Sequence, residues 1–594
     1  MPRRIEDYGL IGDLQTAALV GRDGSIDWLC FPRFDSDACF AALLGTEANG
    51  RWLIAPDGEY RPAGRRYRDD TLVLETDLEC ADGVIRLVDF MPPRGVDPDV
   101  VRIVEGVRGR VRVRSELVMR LGYGDVTPWV HRLDGARLAI AGPDGLCLRT
   151  PAETRGESFR TISDLVVEPG DRVPFVLTWY PSQREPPREI EPDVALAETE
   201  AFWREWCRSC AYTGPWADDV RRSLIVLKAL TYAPTGGIVA APTTSLPEWL
   251  GSVRNWDYRY CWLRDATLTL LAFLDAGYVD EASAWRSWLL RAAAGDPSRL
   301  QIMYGVAGER RLPELELAWL PGFEGSRPVR IGNAAAGQLQ LDVYGEVLDA
   351  LYQARERGLP DDRDAWALQR ALLRYLEDAW RHPDMGLWEV RGPTRHFTHS
   401  KVMAWVAFDR GVGAIERHGL DGPLEHWRRV RAEIHEEVCA RGYDADLGSF
   451  VQSYGSQELD ASLLMIPLVG FLPATDERVL GTIAAVRREL DRGGFVLRYH
   501  AREEIDGLPP GEGVFLACTF WLAEALALAG DGDEARVLFE RLRGLRNDLG
   551  LLAEQFDPGA GQLLGNFPQA FSHLAFVDTA FTLSRAHARQ RGDS

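Results

Sequence analysis

Lysine is nearly absent: two of the 68 basic residues, Lys228 and Lys401, are lysine and the rest are arginine, a bias of genome composition that carries no functional signal. A basic surplus is missing too, since 89 acidic residues leave a net charge of -21. That balance excludes nucleic acid and anionic membranes as partners, both of which need a basic face. No run of 18 apolar residues is uninterrupted enough to span a bilayer, and Met1 to Asp13 lacks the apolar core of a secretory signal. The expected location is the cytoplasm. Nine scattered cysteines, an odd number, read as reduced thiols rather than a disulfide framework. Cys207 and Cys210 form a lone CxxC with no second pair, which favours ordinary helix residues over zinc or redox chemistry. What is present is bulk: 594 residues, 46% hydrophobic and 26% charged without a block of one sign, enough for a large core and at least two domains.

The N-terminal part reads as β structure. From about residue 50 to 180, period-two runs such as Thr71–Thr76, Val84–Phe90, Val107–Val113 and Val173–Trp179 alternate with Asp-Gly signals at Asp82-Gly83, Asp134-Gly135 and Asp144-Gly145. Such alternation describes antiparallel hairpins stacked face to face, so residues 1–190 are expected to form a β-sandwich. Residues 191–215 turn helical and serve as the expected connector.

Residues 216–594 read as about twelve helices of two kinds. Ala535, Leu538, Phe539, Leu542 and Leu545 share one face, as do Trp427, Val430, Ile434 and Val438, so these helices face water on one side. Gly513 to Leu528 and Leu459 to Val469 are apolar nearly all round and belong in an inner layer. Inner helices lead to outer ones through short links, whereas the return links are long. Two concentric rings of six, an (α/α)6 barrel, satisfy this pattern and gather the long loops at one mouth.

Those loops carry the polar chemistry. The first, Asn255 to Asp265, sets the aromatic planes of Tyr258 and Trp262 beside Arg264 and Asp265, a pattern that stacks on sugar rings and forks onto vicinal hydroxyls. Others hold Arg327 and Arg330, Trp388 and Glu389, Arg498, Glu512, and Glu554. Glycoside hydrolysis needs one protonated and one ionised carboxyl, which Glu389 and Glu554 could supply, with Glu314, Glu316 and Glu512 as competitors. His396, His399 and Lys401 admit three readings: capping of a helix or of loop carbonyls, metal binding, or sugar contact.

Six separated segments, in order, now define a resemblance: Tyr8 to Asp13, Asp23 to Leu29, Trp262 to Asp265, Gly386 to Glu389, His396 to Lys401, and Glu554 to Phe556. The chain resembles bacterial members of glycoside hydrolase family 15, the glucoamylase and trehalase family, and within it the actinobacterial trehalase-like branch. The resemblance implies the sandwich-plus-barrel fold, an inverting exo-acting α-glucoside hydrolase, Glu389 as general acid and Glu554 as general base. It further implies that Arg264 and Asp265 grip the non-reducing glucose, that Tyr258 and Trp262 line its subsite, and that Arg498 reaches the leaving-group side. Trp388 should keep Glu389 dehydrated and protonated, while Glu554 should stay polar and ionised.

Val390 and Val514 stand where fungal glucoamylases carry Glu and Trp, while Gly511-Glu512-Gly513 and the Leu312 to Gly325 loop follow the trehalase-like branch. The expected substrate is therefore α,α-trehalose, a small neutral saccharide, with an α-1,4- or α-1,6-glucosidase on maltose, isomaltose or dextrins as the alternative and a disaccharide phosphorylase more remote. Arg327 and Arg330 read either as subsite residues or as ion-pair residues bracing the second loop; Lys401 and Glu512 complete the expected binding set. Some members of the branch depend on phosphate and magnesium, but no metal cluster or Gly-rich phosphate loop stands out, and no bound cofactor is expected. A homo-oligomer is compatible with the sequence.

Overall fold

The computed structural model describes residues 3–502 and 506–591, so the outermost residues of both expected domains lie outside the described residues. Between Tyr8 and Pro181 the chain forms two antiparallel sheets of eight strands each. Asp134-Gly135 makes a tight turn with both residues at positive φ, 46° and 82°, as a two-residue hairpin turn requires, whereas Gly83 already pairs with Cys80, so Ala81 and Asp82 make the turn at the Asp82-Gly83 signal. Asp144-Gly145 does not: Asp144 already pairs with Ala141, so Gly142 and Pro143 make that turn.

The sheets begin forty residues before the alternating region. Tyr8–Gly12, Ala17–Gly21 and Ser25–Cys30 are buried at every position. Both faces are covered, one by the opposite sheet and the other by the helical domain, and a strand covered twice has no polar face to generate alternation. Across the sandwich, Trp52 meets Phe175 edge to face at 6.4 Å. Beside them Arg102 and Asp89, both fully buried, pair at 2.7 Å. Arg102 also donates to the carbonyls of Trp52 at 2.6 Å and Gly24 at 2.8 Å, so one guanidinium ties the two sheets together.

The helix Pro192–Cys207 follows, with Pro at its first turn, where a missing N–H is harmless. Burial pushes the Cys207 thiol up to about 12 and raises that of Cys210, so this CxxC carries thiols rather than thiolates. Among the described residues, twelve helical segments then make two rings. The outer ring is Ala217–Ala229, Val279–Ala292, Arg363–Ala379, Leu424–Arg441, Glu477–Glu489 and Gly532–Arg543. The inner ring is Leu263–Asp275, Asp342–Glu356, Thr398–His418, Ala461–Leu468, Leu516–Ala529 and Ala570–Arg591. Inner helices pass outward through residues 276–278, 357–362, 419–423, 469–476 and 530–531; left-handed Gly419 and Gly530 end two of them. The return links, 230–262, 293–341, 380–397, 442–460, 490–515 and 544–569, are long and gather at the N-terminal ends of the inner helices.

The expected inner helix Leu459 to Val469 is cut to a 3-10 turn, Ala461–Leu464, and a single α turn, Met465–Leu468. Asp460 caps its start, accepting from the Ser462 N–H at 2.8 Å, and Gly470 at φ 78° follows its end. The apolar run was read correctly as buried; its length as a helix was not. Among the described residues no helix is long and apolar enough to cross a membrane.

Breaking the buried pair between the sheets is expected to be severe. Arg102→Met should destabilise the chain by about 3–5 kcal/mol by stranding Asp89, and Arg102→Met with Asp89→Leu should recover a large part of that loss. Chemical denaturation of the three proteins checks it; equal stability of wild type and Arg102→Met would contradict the role given to the pair.

Candidate active site

The first long loop builds one wall by strand alternation. Arg259 points back and is fully buried, forking onto Asp257 at 2.8 and 2.7 Å and donating to the Ser36 carbonyl of the sandwich at 2.8 Å. Tyr258, its neighbour, therefore points forward. Its hydroxyl donates to Glu554 Oε1 at 2.7 Å. Four residues on, Trp262 Nε1 donates to Glu389 Oε1 at 2.7 Å, and the Tyr258 and Trp262 rings meet edge to face at 5.1 Å. Two contacting aromatic side chains thus hold one carboxylate each.

Glu389 closes the turn that starts at Gly386, its N–H donating to the Gly386 carbonyl at 3.2 Å. It adopts φ 57°, the left-handed region, at a cost of about 1–3 kcal/mol for a residue with a Cβ. Trp388 fixes the turn from the other side, donating to Asp460 at 2.9 and 3.1 Å. Arg264 binds Asp265 at 2.7 Å and the Leu387 carbonyl at 2.9 Å, and stands 3.9 Å from Glu389. Burial raises the Glu389 carboxyl above its ordinary value, opposed by Arg264 and by the Trp262 hydrogen bond.

Glu554 is fully buried. Its Oε2 accepts the Asn566 N–H at 3.3 Å, and a Cβ at Gly565 would sit 2.4 Å from that oxygen, so glycine is needed there. Burial and the nearby Glu248 charge push Glu554 up to about 8. This corrects the expectation of an ionised Glu554 in a polar setting: the two donors it has do not offset full dehydration beside a like charge.

Arg498 lies at the centre of a buried charge cluster. One of its nitrogens donates to Glu248 at 2.7 Å and to Glu512, while Arg254 pairs with Asp506 at 2.6 Å and lies 3.8 Å from Glu512. The guanidinium carbon lies 5.6 Å from the Trp388 ring and 5.5 Å from that of Phe515. Tyr258, Trp262, Arg264, Asp265, Trp388, Glu389 and Arg498 line the cleft. Glu554 and Glu512 lie just behind that wall, tied to Tyr258 and Arg498.

Three expected binding residues stand elsewhere. Lys401 is fully buried and donates to the carbonyls of Trp380 and His382, capping the end of helix Arg363–Ala379; desolvation lowers its ammonium to about 8. Arg327 is exposed, away from the cleft lining. Arg330 braces the rim: it donates to the carbonyls of Val253 at 2.7 Å and Asn255 at 3.1 Å and lies over Trp256 at 4.6 Å. Glu248, Arg254 and Asp506 were missed. Glu248 had a signal, a lone acid in the apolar stretch Ser245-Leu246-Pro247-Glu248-Trp249-Leu250, just ahead of the Asn255 to Asp265 segment in the same long link. Among the described residues no group of three or more His, Cys, Asp or Glu is placed to hold a metal ion.

A sandwich joined to an (α/α)6 barrel, with carboxyls, aromatic planes and an Arg–Asp fork at the barrel mouth, defines a glycoside hydrolase. The comparisons agree: residues 214–581 match the model of glycosyl hydrolases family 15 and residues 1–177 that of a trehalase-like N-terminal domain. The chain belongs to glycosyl hydrolases family 15. It is 38% identical to a trehalase of Mycolicibacterium smegmatis, covering 98% of this chain and 91% of that protein. A trehalase of Thermoplasma volcanium is 34% identical, with 98% and 94% covered. A bacterial glucoamylase solved with acarbose shares the fold at TM-score 0.73 and 13% identity over 98% of this chain and 94% of that one.

The raised Glu554 carboxyl has a consequence for stability. Its folded-state value near 8 lies above the ordinary 4.5, so the native state holds a proton there that the unfolded chain releases. Stability from this group is complete below about 4.5 and is lost as pH rises toward 8. Glu554→Gln, which cannot ionise, should therefore melt above wild type at pH 8 and with it at pH 5; thermal denaturation at both values checks this, and a wild-type advantage at pH 8 would contradict it.

Proposed function

We propose that this protein hydrolyses α,α-trehalose to two glucoses with inversion, Glu389 serving as general acid and Glu554 as general base. The observation that carries the reading is the aromatic bridge: Tyr258 on Glu554 and Trp262 on Glu389, side by side at one cleft. Burial raises the Glu389 carboxyl, the direction a proton donor to the leaving oxygen requires, and its turn at positive φ aims it at the cleft. Glu554 must shed its proton to activate water. Arg498, the Tyr258 hydroxyl and the Asn566 N–H favour that ionised form, while burial and Glu248 oppose it. The pH profile therefore reports the site as a coupled whole rather than single residues.

Arg264 and Asp265 offer a fixed donor–acceptor fork to the glucose at the blind end, and Trp262 offers it a ring face. Arg498, backed by Glu248 and Glu512, offers charged donors to the second ring. The trehalases that this chain resembles over 98% of its length support trehalose as the disaccharide. We assign residues 1–190 to the sandwich domain, 191–215 to the linker and 216–594 to the catalytic barrel, which accords with the helix Pro192–Cys207 lying between them. A cytoplasmic location is supported by nine cysteines that are all unpaired.

Glucose release from trehalose, maltotriose and isomaltose, each with and without phosphate, tests the substrate. Strong preference for trehalose is expected; preference for either of the others moves the protein to the glucoamylase-like reading, and phosphate-dependent glucose 1-phosphate to the phosphorylase reading.

The roles are tested by variants. Glu389→Gln should lower kcat by about 10²–10⁴ while trehalose still binds. Glu554→Gln should lose a similar factor and regain rate with azide; undiminished turnover in plain buffer by either variant would remove that residue from the mechanism.

A further inference from the structure

The six inner helices line a second cavity along the barrel axis. It starts beneath the cleft, where Arg264 and Leu387 line both spaces, and runs to Asp275, Arg357 and Arg585 at the opposite end. Half of the residues in its wall are apolar, with Trp521 and Phe571 edge to face at 5.7 Å. Some acids in the wall have cations: Asp275 pairs with Arg357 at 2.5 Å and Arg585 at 2.9 Å, and Asp349 with Arg410 at 2.5 Å.

Glu346, Glu524 and Asp578 also line the cavity, and no ion pair reaches them among the described residues. Glu346 is 7% exposed, and its Oε2 hydrogen-bonds to nothing among the described residues. Glu524 is 9% exposed, and one hydroxyl serves it, that of Thr579 at 2.8 Å. Burial raises all three, Glu524 to about 7 with no cation near it among the described residues, while Arg264 opposes the shift at Glu346 and Arg357 and Arg585 oppose it at Asp578 without closing an ion pair. The inner helices all run away from the cleft, so their negative ends converge on the far half of this cavity. Three features favour a cation here: carboxyls that close no ion pair, helix polarity and the Trp521 ring, the Phe571 ring already carrying the Arg264 guanidinium at 5.0 Å. The three carboxyls are not gathered as a metal site would gather them. They are spread among the apolar residues of the wall, which suits a ligand with hydrocarbon between or beside its charges.

We propose that the axial cavity binds a small organic cation of the alkylamine class, its ammonium groups neutralising Glu346, Glu524 and Asp578 and its carbon chain lying against Trp521 and Phe571. The site is separate from the saccharide cleft and does not depend on the substrate assigned to that cleft. Arg264 and Leu387 are the partition between the two.

Isothermal titration of the full chain with 1,4-diaminobutane and with its neutral counterpart 1,4-butanediol tests the assignment. Binding of the diamine at one site, at least about tenfold tighter than the diol, is expected, as is a weakening of at least about tenfold in Glu524→Gln and in Asp578→Asn. Two variants guard against the failure of one to fold, and the wild-type comparison of diamine with diol needs neither. Diol binding as tight as the diamine, diamine affinity unchanged in the folded variants, or no diamine binding at millimolar concentration would each overturn the proposal.

Discussion

Two carboxyl groups held out of water at one cleft dictate most of what surrounds them. A buried carboxyl needs donors fixed in place, and here both sets of donors come from one short stretch: Tyr258 reaches Glu554 and Trp262 reaches Glu389. Those two side chains can serve because the stretch itself is anchored from behind. Arg259, buried with Asp257 and bonded to Ser36, pins the loop to the sandwich, so the N-terminal domain acts as the back-plate of the catalytic wall. The Trp28 indole, donating to the Pro242 carbonyl at 2.8 Å, fastens the same loop at a second point.

The charge cluster beside Glu554 extends this logic. Arg498 and Arg254 face Glu248, Glu512, Asp506 and Glu554, more acids than bases, and burial raises both Glu512 and Glu554. A site organised this way is held rigid by bonds among its own ionic groups, set against the Trp388 and Phe515 rings.

Much of this was legible in the chain. Helices apolar all round announced an inner ring, and the alternation of short and long links placed the loops at one mouth, because antiparallel neighbours tolerate minimal turns while a cleft needs length. The Trp262 to Asp265 and Gly386 to Glu389 segments brought the cleft residues with them. What escaped reading did so for stateable reasons. The strands at Tyr8 to Cys30 are covered on both faces and carry no alternation. Lys401 shares a segment with His396 and His399, but a helix sends neighbouring side chains in different directions, and its ammonium went to the end of the preceding helix. The ionisation of Glu554 depended on Glu248, hundreds of residues away in sequence, and no local pattern reports such an approach.

The strand that opens the chain is clamped by the loop that nearly closes it. Asn547 donates to the carbonyls of Glu6 at 3.1 Å and Tyr8 at 2.9 Å, and Glu554 lies on that same loop. A ribosome adding about 5–20 residues per second takes on the order of a minute to travel from one partner to the other. The flank at Tyr8 to Cys30 meets the barrel first through Ala233, whose N–H donates to the Leu14 carbonyl, and Pro242, whose carbonyl accepts from Trp28, so the Asn547 clamp joins a seam already begun and arrives together with Glu554.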